Sequence, residues 1–161
     1  MNSKEFQTLL SNNSIEPFSL NLKLVETKIK KAERLYDFSH KNLSGLTMGD
    51  GDIVYNNIYD SVRIACEAVL LINGYRAKTS GEGHHYIVIN TAAILLDGQL
   101  VNEFKRFQQM RKKRNQIEYG DFVGISEAEL KQAYIDAGVL IAKIKKLKFA
   151  LNKQGILHFK K

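Results

Sequence analysis

Nine consecutive residues, Arg111-Lys112-Lys113-Arg114-Asn115-Gln116-Ile117-Glu118-Tyr119, hold most of the chemistry this chain offers. Four cations in four positions favour an anionic partner. Their spacing says more than their number. Wound at about 100° per residue, Leu100, Phe104, Phe107, Met110 and Ile117 share one side of a helix. Lys105, Gln109, Lys112, Lys113 and Gln116 fall roughly opposite, toward water. Arg111, Arg114 and Glu118 do not join them: they fall within about 40° of Phe107 on the apolar side. Guanidinium groups are rarely buried without a partner. Two readings stay open. The helix end leaves the core and Glu118 pairs with Arg114 one turn earlier, or these side chains line a polar pocket at a domain or dimer surface.

Other reactive residues are sparser. His84-His85 precede an apolar stretch, at a helix start that would attract anions. The plainer reading has one imidazole packed and the other exposed. The second makes them accessory to the Arg114 segment. Two histidines without nearby cysteine or carboxylate spacing do not make a zinc site, and no metal or other cofactor is expected. Arg63 and Glu67, four apart, read first as a surface ion pair. Asp50 and Asp52 flank Gly51 without the rest of a calcium loop. Lys78-Thr79-Ser80-Gly81-Glu82-Gly83 lacks the Gly-Lys-Ser/Thr order of a P-loop. Cys66, the lone cysteine, sits in an apolar pattern and reads as a small buried hydrophobe.

The elements that must carry these residues are helices. Leu22, Val25, Ile29, Ala32 and Tyr36 repeat at steps of three and four and predict a helix over 19–43. Breakers fill 44–51. Tyr55, Ile58, Val62, Ala65, Val69 and Ile72 predict a second helix over 52–73, with Gly74 as its stop. A third is expected over 84–97. Tyr86-Ile87-Val88-Ile89 has strand propensity but leads into helix formers. The fourth covers 99–119. The fifth runs from Ser126, which can cap with Glu129, to about residue 152. Residues 1–18 read as a polar N-terminal arm, 19–152 as the domain and 153–161 as a basic tail. The expected fold is an all-α antiparallel bundle of about five helices.

Composition sets the bounds. At 161 residues, 44% apolar and 25% charged, the chain suits one globular domain with a real core. One proline, Pro17, leaves the later helices unbroken. No signal-peptide pattern is visible and no apolar run approaches the ~20 residues that span a bilayer. With a single cysteine this predicts a cytoplasmic protein without a membrane role. The net charge of +7 favours nucleic acid, or merely solvates helix faces.

Arg114, four residues beginning with Asn115, and then Tyr119 resemble the signature of the HEPN superfamily, an arginine, often followed by asparagine, and then a histidine with four to six residues between. Here tyrosine stands where the family has histidine. Ala68-Val69-Leu70-Leu71-Ile72-Asn73-Gly74-Tyr75-Arg76, followed by Gly83-His84-His85, is similar to the family's second helix, glycine, basic loop and histidine. The likeness covers about residues 20–150. It implies a helical bundle, and for many members a metal-independent ribonuclease in toxin–antitoxin or defence systems. Other members bind nucleotides, nucleic acid or partner proteins without catalysis. On this resemblance Arg114, Asn115 and Tyr119 form the catalytic set, Arg111, Lys112 and Lys113 hold the phosphate backbone, and His84, His85 and Glu118 are accessory. It also implies a homodimer pairing two motifs, and an antitoxin or nucleotidyltransferase as protein partner. Whether the chain is an enzyme stays open, because tyrosine, with a pKa near 10, is a poor general base at neutral pH.

Overall fold

Helix α2 (Leu22–Asn42) shows how the bundle is assembled. Asn21 caps it, its side chain accepting from the Leu24 N–H at 2.9 Å. The three-four stripe then buries Val25, Ile29 and Ala32. The surface they face is α3 (Gly51–Ile72), which is apolar nearly all round and buried along most of its length. A helix of that kind has to be central. α3 packs against α2, α4 (His84–Leu95), α5 (Val101–Glu118) and α6 (Glu127–His158). It ends at Asn73, and Gly74 follows with φ +80, the left-handed residue that turns the chain away. The computed structural model describes residues 4–43, 50–78, 83–118 and 124–158, with side chains described as far as 151.

The all-α bundle is observed, and its main helices lie close to the expected spans. Tyr86-Ile87-Val88-Ile89 is helical, part of α4. α6 opens on the reciprocal cap expected of Ser126 and Glu129. The Ser126 N–H donates to Glu129 Oε2 at 2.9 Å, and the Glu129 N–H donates to Ser126 Oγ at 3.2 Å. α6 continues to His158, beyond the expected end near 152. Cys66 is fully buried, and burial pushes its thiol pKa well up. No described helix is long and apolar enough to cross a membrane.

The loose N-terminal arm is corrected. Residues 4–17 form a short helix, α1 (Lys4–Ser11), and a strand, β1 (Ile15–Pro17). β1 pairs antiparallel with β2 (Tyr75–Ala77), Ile15 opposite Ala77 and Pro17 opposite Tyr75. Phe6, Leu9 and Ile15 enter the core, and the Phe6 ring meets Tyr75 edge-on at 5.0 Å. Three apolar side chains among polar ones carry no clear period alone. They become ordered because the segment after α3 offers a surface and a strand edge.

Candidate anion site between three helices

α3 carries polar residues at one flank of its otherwise apolar surface: Asn56, Tyr59, Asp60, Arg63 and Glu67, spaced by three and four. Tyr59 is fully buried. Arg63, one turn on, is mostly buried and held by two carboxylates, Nη1 to Glu67 Oε1 at 2.6 Å and Nε to Asp60 Oδ1 at 3.2 Å. Glu67 also receives Lys28 from α2. The surface pair expected of Arg63 and Glu67 is therefore an interior pair in a network joining two helices.

α4 brings the histidines. Gly83, at φ +84, turns the chain into the helix. His84 and His85 are consecutive, so they point about 100° apart. His84 Nδ1 lies 2.9 Å from the Lys78 carbonyl. The His85 ring leans on Tyr59, ring centres 5.8 Å apart. Burial holds the His85 pKa down to about 4. Positive charge on Arg63, Arg114 and His84 pushes the same way, against the opposing pull of Asp60. His85 is thus a neutral imidazole at pH 7.

α5 closes the third side. The Arg114 guanidinium lies over the Tyr59 ring at 5.4 Å, and Arg111, one turn earlier, lies over Tyr86 of α4 at 5.5 Å. Both stack on aromatics from neighbouring helices, which explains why they share the apolar side of the wheel. Arg114 also grips Glu118 with both arms, Nη1 to Oε2 at 2.7 Å and Nη2 to Oε1 at 2.6 Å. The Glu118 pair read from sequence is present. Three buried polar atoms at or beside this centre have no hydrogen-bond partner among the described residues: Tyr59 Oη, Arg114 Nε and Asn56 Oδ1. Burial raises the Tyr59 phenol's pKa, while Arg114, Arg63 and Arg111 all act to lower it. Of the three, Arg114 is the one stacked on the Tyr59 ring.

The remaining expected site residues divide. Lys112 is exposed and Asn115 is half-buried. Lys113 was expected to face water. Its side chain is only 18% exposed and its ammonium meets Glu129 Oε1 at 2.6 Å. The correction has a tertiary cause: the capped start of α6 places Glu129 across from α5. Tyr119 lies outside the described residues. Sequence reasoning passed over Tyr59 and took Arg63 for surface. A polar residue every three or four positions along an apolar helix was the available signal. Among the described residues no three His, Cys, Asp or Glu gather to hold a metal ion.

A cavity of about 270 Å³ adjoins this cluster on its α2 side. Phe18, Leu24, Leu70 and Val88 line it, with Glu67 and His84 on the shared wall. No family model matches the chain, and no curated protein matches it.

Proposed function

We propose that this chain is a HEPN-like, RNA-directed effector. Its centre of chemistry is the Arg114–His85 pairing around Tyr59. One observation carries the reading: His85, deep enough to stay neutral, shares a buried tyrosine with a guanidinium whose present partner is only a half-exposed glutamate. The sequence resemblance supplies the same arginine but leaves its histidine position to Tyr119. His85 offers an imidazole from another helix.

The chemistry would be transesterification of RNA. The 2′-hydroxyl attacks the adjacent phosphorus while a neutral imidazole takes its proton. The bond from phosphorus to the 5′-oxygen breaks, and that oxygen receives a proton as it leaves. A 2′,3′-cyclic phosphate and a 5′-hydroxyl result. Arg114 would stabilise the charge on the non-bridging oxygens, with a phosphate competing against Glu118 for its fork. Arg111 and Lys112 would hold flanking phosphates. Two copies pairing their α5 motifs in one cleft would follow the implied homodimer. An antitoxin or nucleotidyltransferase partner would belong to the same reading.

The test is single-stranded RNA incubated with the protein in excess chelator, comparing wild type with Arg114→Ala, His85→Ala and Lys112→Ala. Cleavage should fall about 100-fold or more for the first two. Lys112→Ala should mainly reduce the salt sensitivity of binding. Equal effects from all three would reduce α5 to a diffuse basic surface. Retained binding without cleavage by wild type would favour the non-catalytic module. Tyr119 at the histidine position and the Glu118 clasp on Arg114 support that second reading.

A further inference from the structure

We propose that the buried hydroxyl of Tyr59 is a hydrogen-bond donor to a single phosphoryl group, received between Arg114, Arg63 and His85. The inference rests on the reading of this cluster as a phosphate site. It adds the donor that sequence reasoning passed over and defines the group recognised.

A hydroxyl in a protein interior is nearly always paired, because losing its water without replacement is unfavourable. Tyr59 Oη has no partner among the described residues, although its residue is fully buried. Phenylalanine would fill the same volume without that loss. Among the described residues, the hydroxyl makes no hydrogen bond that a ring alone would lack. Arg114 Nε, above the ring, is likewise buried and without a partner. Two unpaired buried donors thus belong to two stacked residues, and the charges of Arg114, Arg63 and Arg111 all act on the phenol. Among the described residues, the carboxylates of the cluster all have cationic partners. Asp60 and Glu67 are already engaged with Arg63, and Glu118 with the outer arms of Arg114.

Glu118 occupies the outer arms of Arg114. Its side chain is 49% exposed, so water screens the pair and a competing anion can reach it. A phosphoryl group offers more oxygens than a carboxylate. It could replace Glu118 on the Arg114 fork, draw the guanidinium off the Tyr59 ring and expose the phenol to a third oxygen. The negative charge would also offset Arg63 and Arg114, which depress His85, so His85 gains proton affinity as the ligand arrives. The shared chemistry is the phosphoryl group. An RNA diester and a terminal phosphate are its two sources.

The experiment follows the His85 ring signals by NMR during titration with inorganic phosphate, for the wild type and Tyr59→Phe. In the wild type, phosphate should raise the His85 midpoint from about 4 by roughly one unit or more. Tyr59→Phe should bind phosphate about tenfold more weakly or worse, the usual loss when a hydrogen bond to a charged group is removed. Its Tm should equal or exceed the wild type by a few degrees, since an unpaired buried hydroxyl has gone. Tighter binding of 5′-phosphorylated than 5′-hydroxyl RNA would identify a terminal phosphate as the source, and equal binding an internal diester. A His85 signal indifferent to phosphate, or equal phosphate affinity in Tyr59→Phe, overturns the inference. Phosphate bound as described with RNA ignored would leave the inference standing and remove the RNA reading.

Discussion

His85 and Glu129 show two titrations driven in one direction by different causes. Burial and neighbouring guanidiniums lower His85 to about 4, against an ordinary value of 6.5. Its unfolded form binds a proton more readily than the folded one, so the folded state loses stability as pH falls from about 6.5 toward 4. His85→Gln should flatten that part of a pH-dependent urea unfolding series. An unchanged slope would show that His85 is more hydrated than its packing implies. Glu129 is held down to about 2, first by the Lys113 ammonium and next by the Ser126 N–H. Its contribution is complete above about 4.5 and is lost as pH falls toward 2. Lys113→Ala should weaken the acid-range slope by a small amount, since the carboxylate is nearly half exposed and water screens the pair. The two slopes occupy separate pH windows, so one denaturation series reads both.

Between elements, two of the contacts that attach α6 to its neighbours differ in character. Arg106 of α5 reaches Asp136, which is only 2% exposed, through Nε at 2.5 Å and Nη2 at 2.9 Å. Gln132 adds a third donor at 2.8 Å. Removing the arginine strands a buried carboxylate, whereas removing the aspartate frees a guanidinium that water can reach. Arg106→Ala should therefore cost about 3 kcal/mol, and Asp136→Leu clearly less, by chemical denaturation. The reverse order would mean that Asp136 is solvated in solution. On the α2 side, Gly138 lets Tyr36 lie against α6, where its ring stacks on Tyr134 with centres 4.2 Å apart. A Cβ at residue 138 would stand 2.6 Å from Tyr36 Oη. Gly138→Ala, normally favourable in a helix, should instead destabilise by roughly 1–3 kcal/mol. Tyr36→Phe in the same chain should recover part of that loss. A stabilising Gly138→Ala would show that α2 and α6 stand further apart.

For the whole molecule, a charge of +7 makes any nucleic-acid affinity salt-dependent. Several cations are already paired within the fold, Arg63, Arg106, Lys113 and Lys145 among them. Fewer than the formal number are free for phosphate, and the slope of log affinity against log salt should be correspondingly shallow. The proposed pairing of two α5 motifs predicts a dimer by light scattering at tens of micromolar. A monomer there would mean that one copy of the Arg114–His85 cluster acts alone.

The sequence by itself determined the all-α class and the approximate extent of the main helices, because three-four periodicity is written locally and capping by Ser126 and Glu129 needs only neighbouring residues. It also placed Arg114 off the water-facing side and named Glu118 as its partner, since both lie on one helix. It could not show that Glu67 is shared with Lys28 or that Lys113 is partly covered by Glu129, because Lys28 and Glu129 come from other helices. Nor could it recruit α1 and β1, whose order depends on the strand edge at Tyr75–Ala77. The meeting of Tyr59, His85 and Arg114 was decided only by packing. They lie on three helices, and no periodicity within one helix records which face of another will cover it.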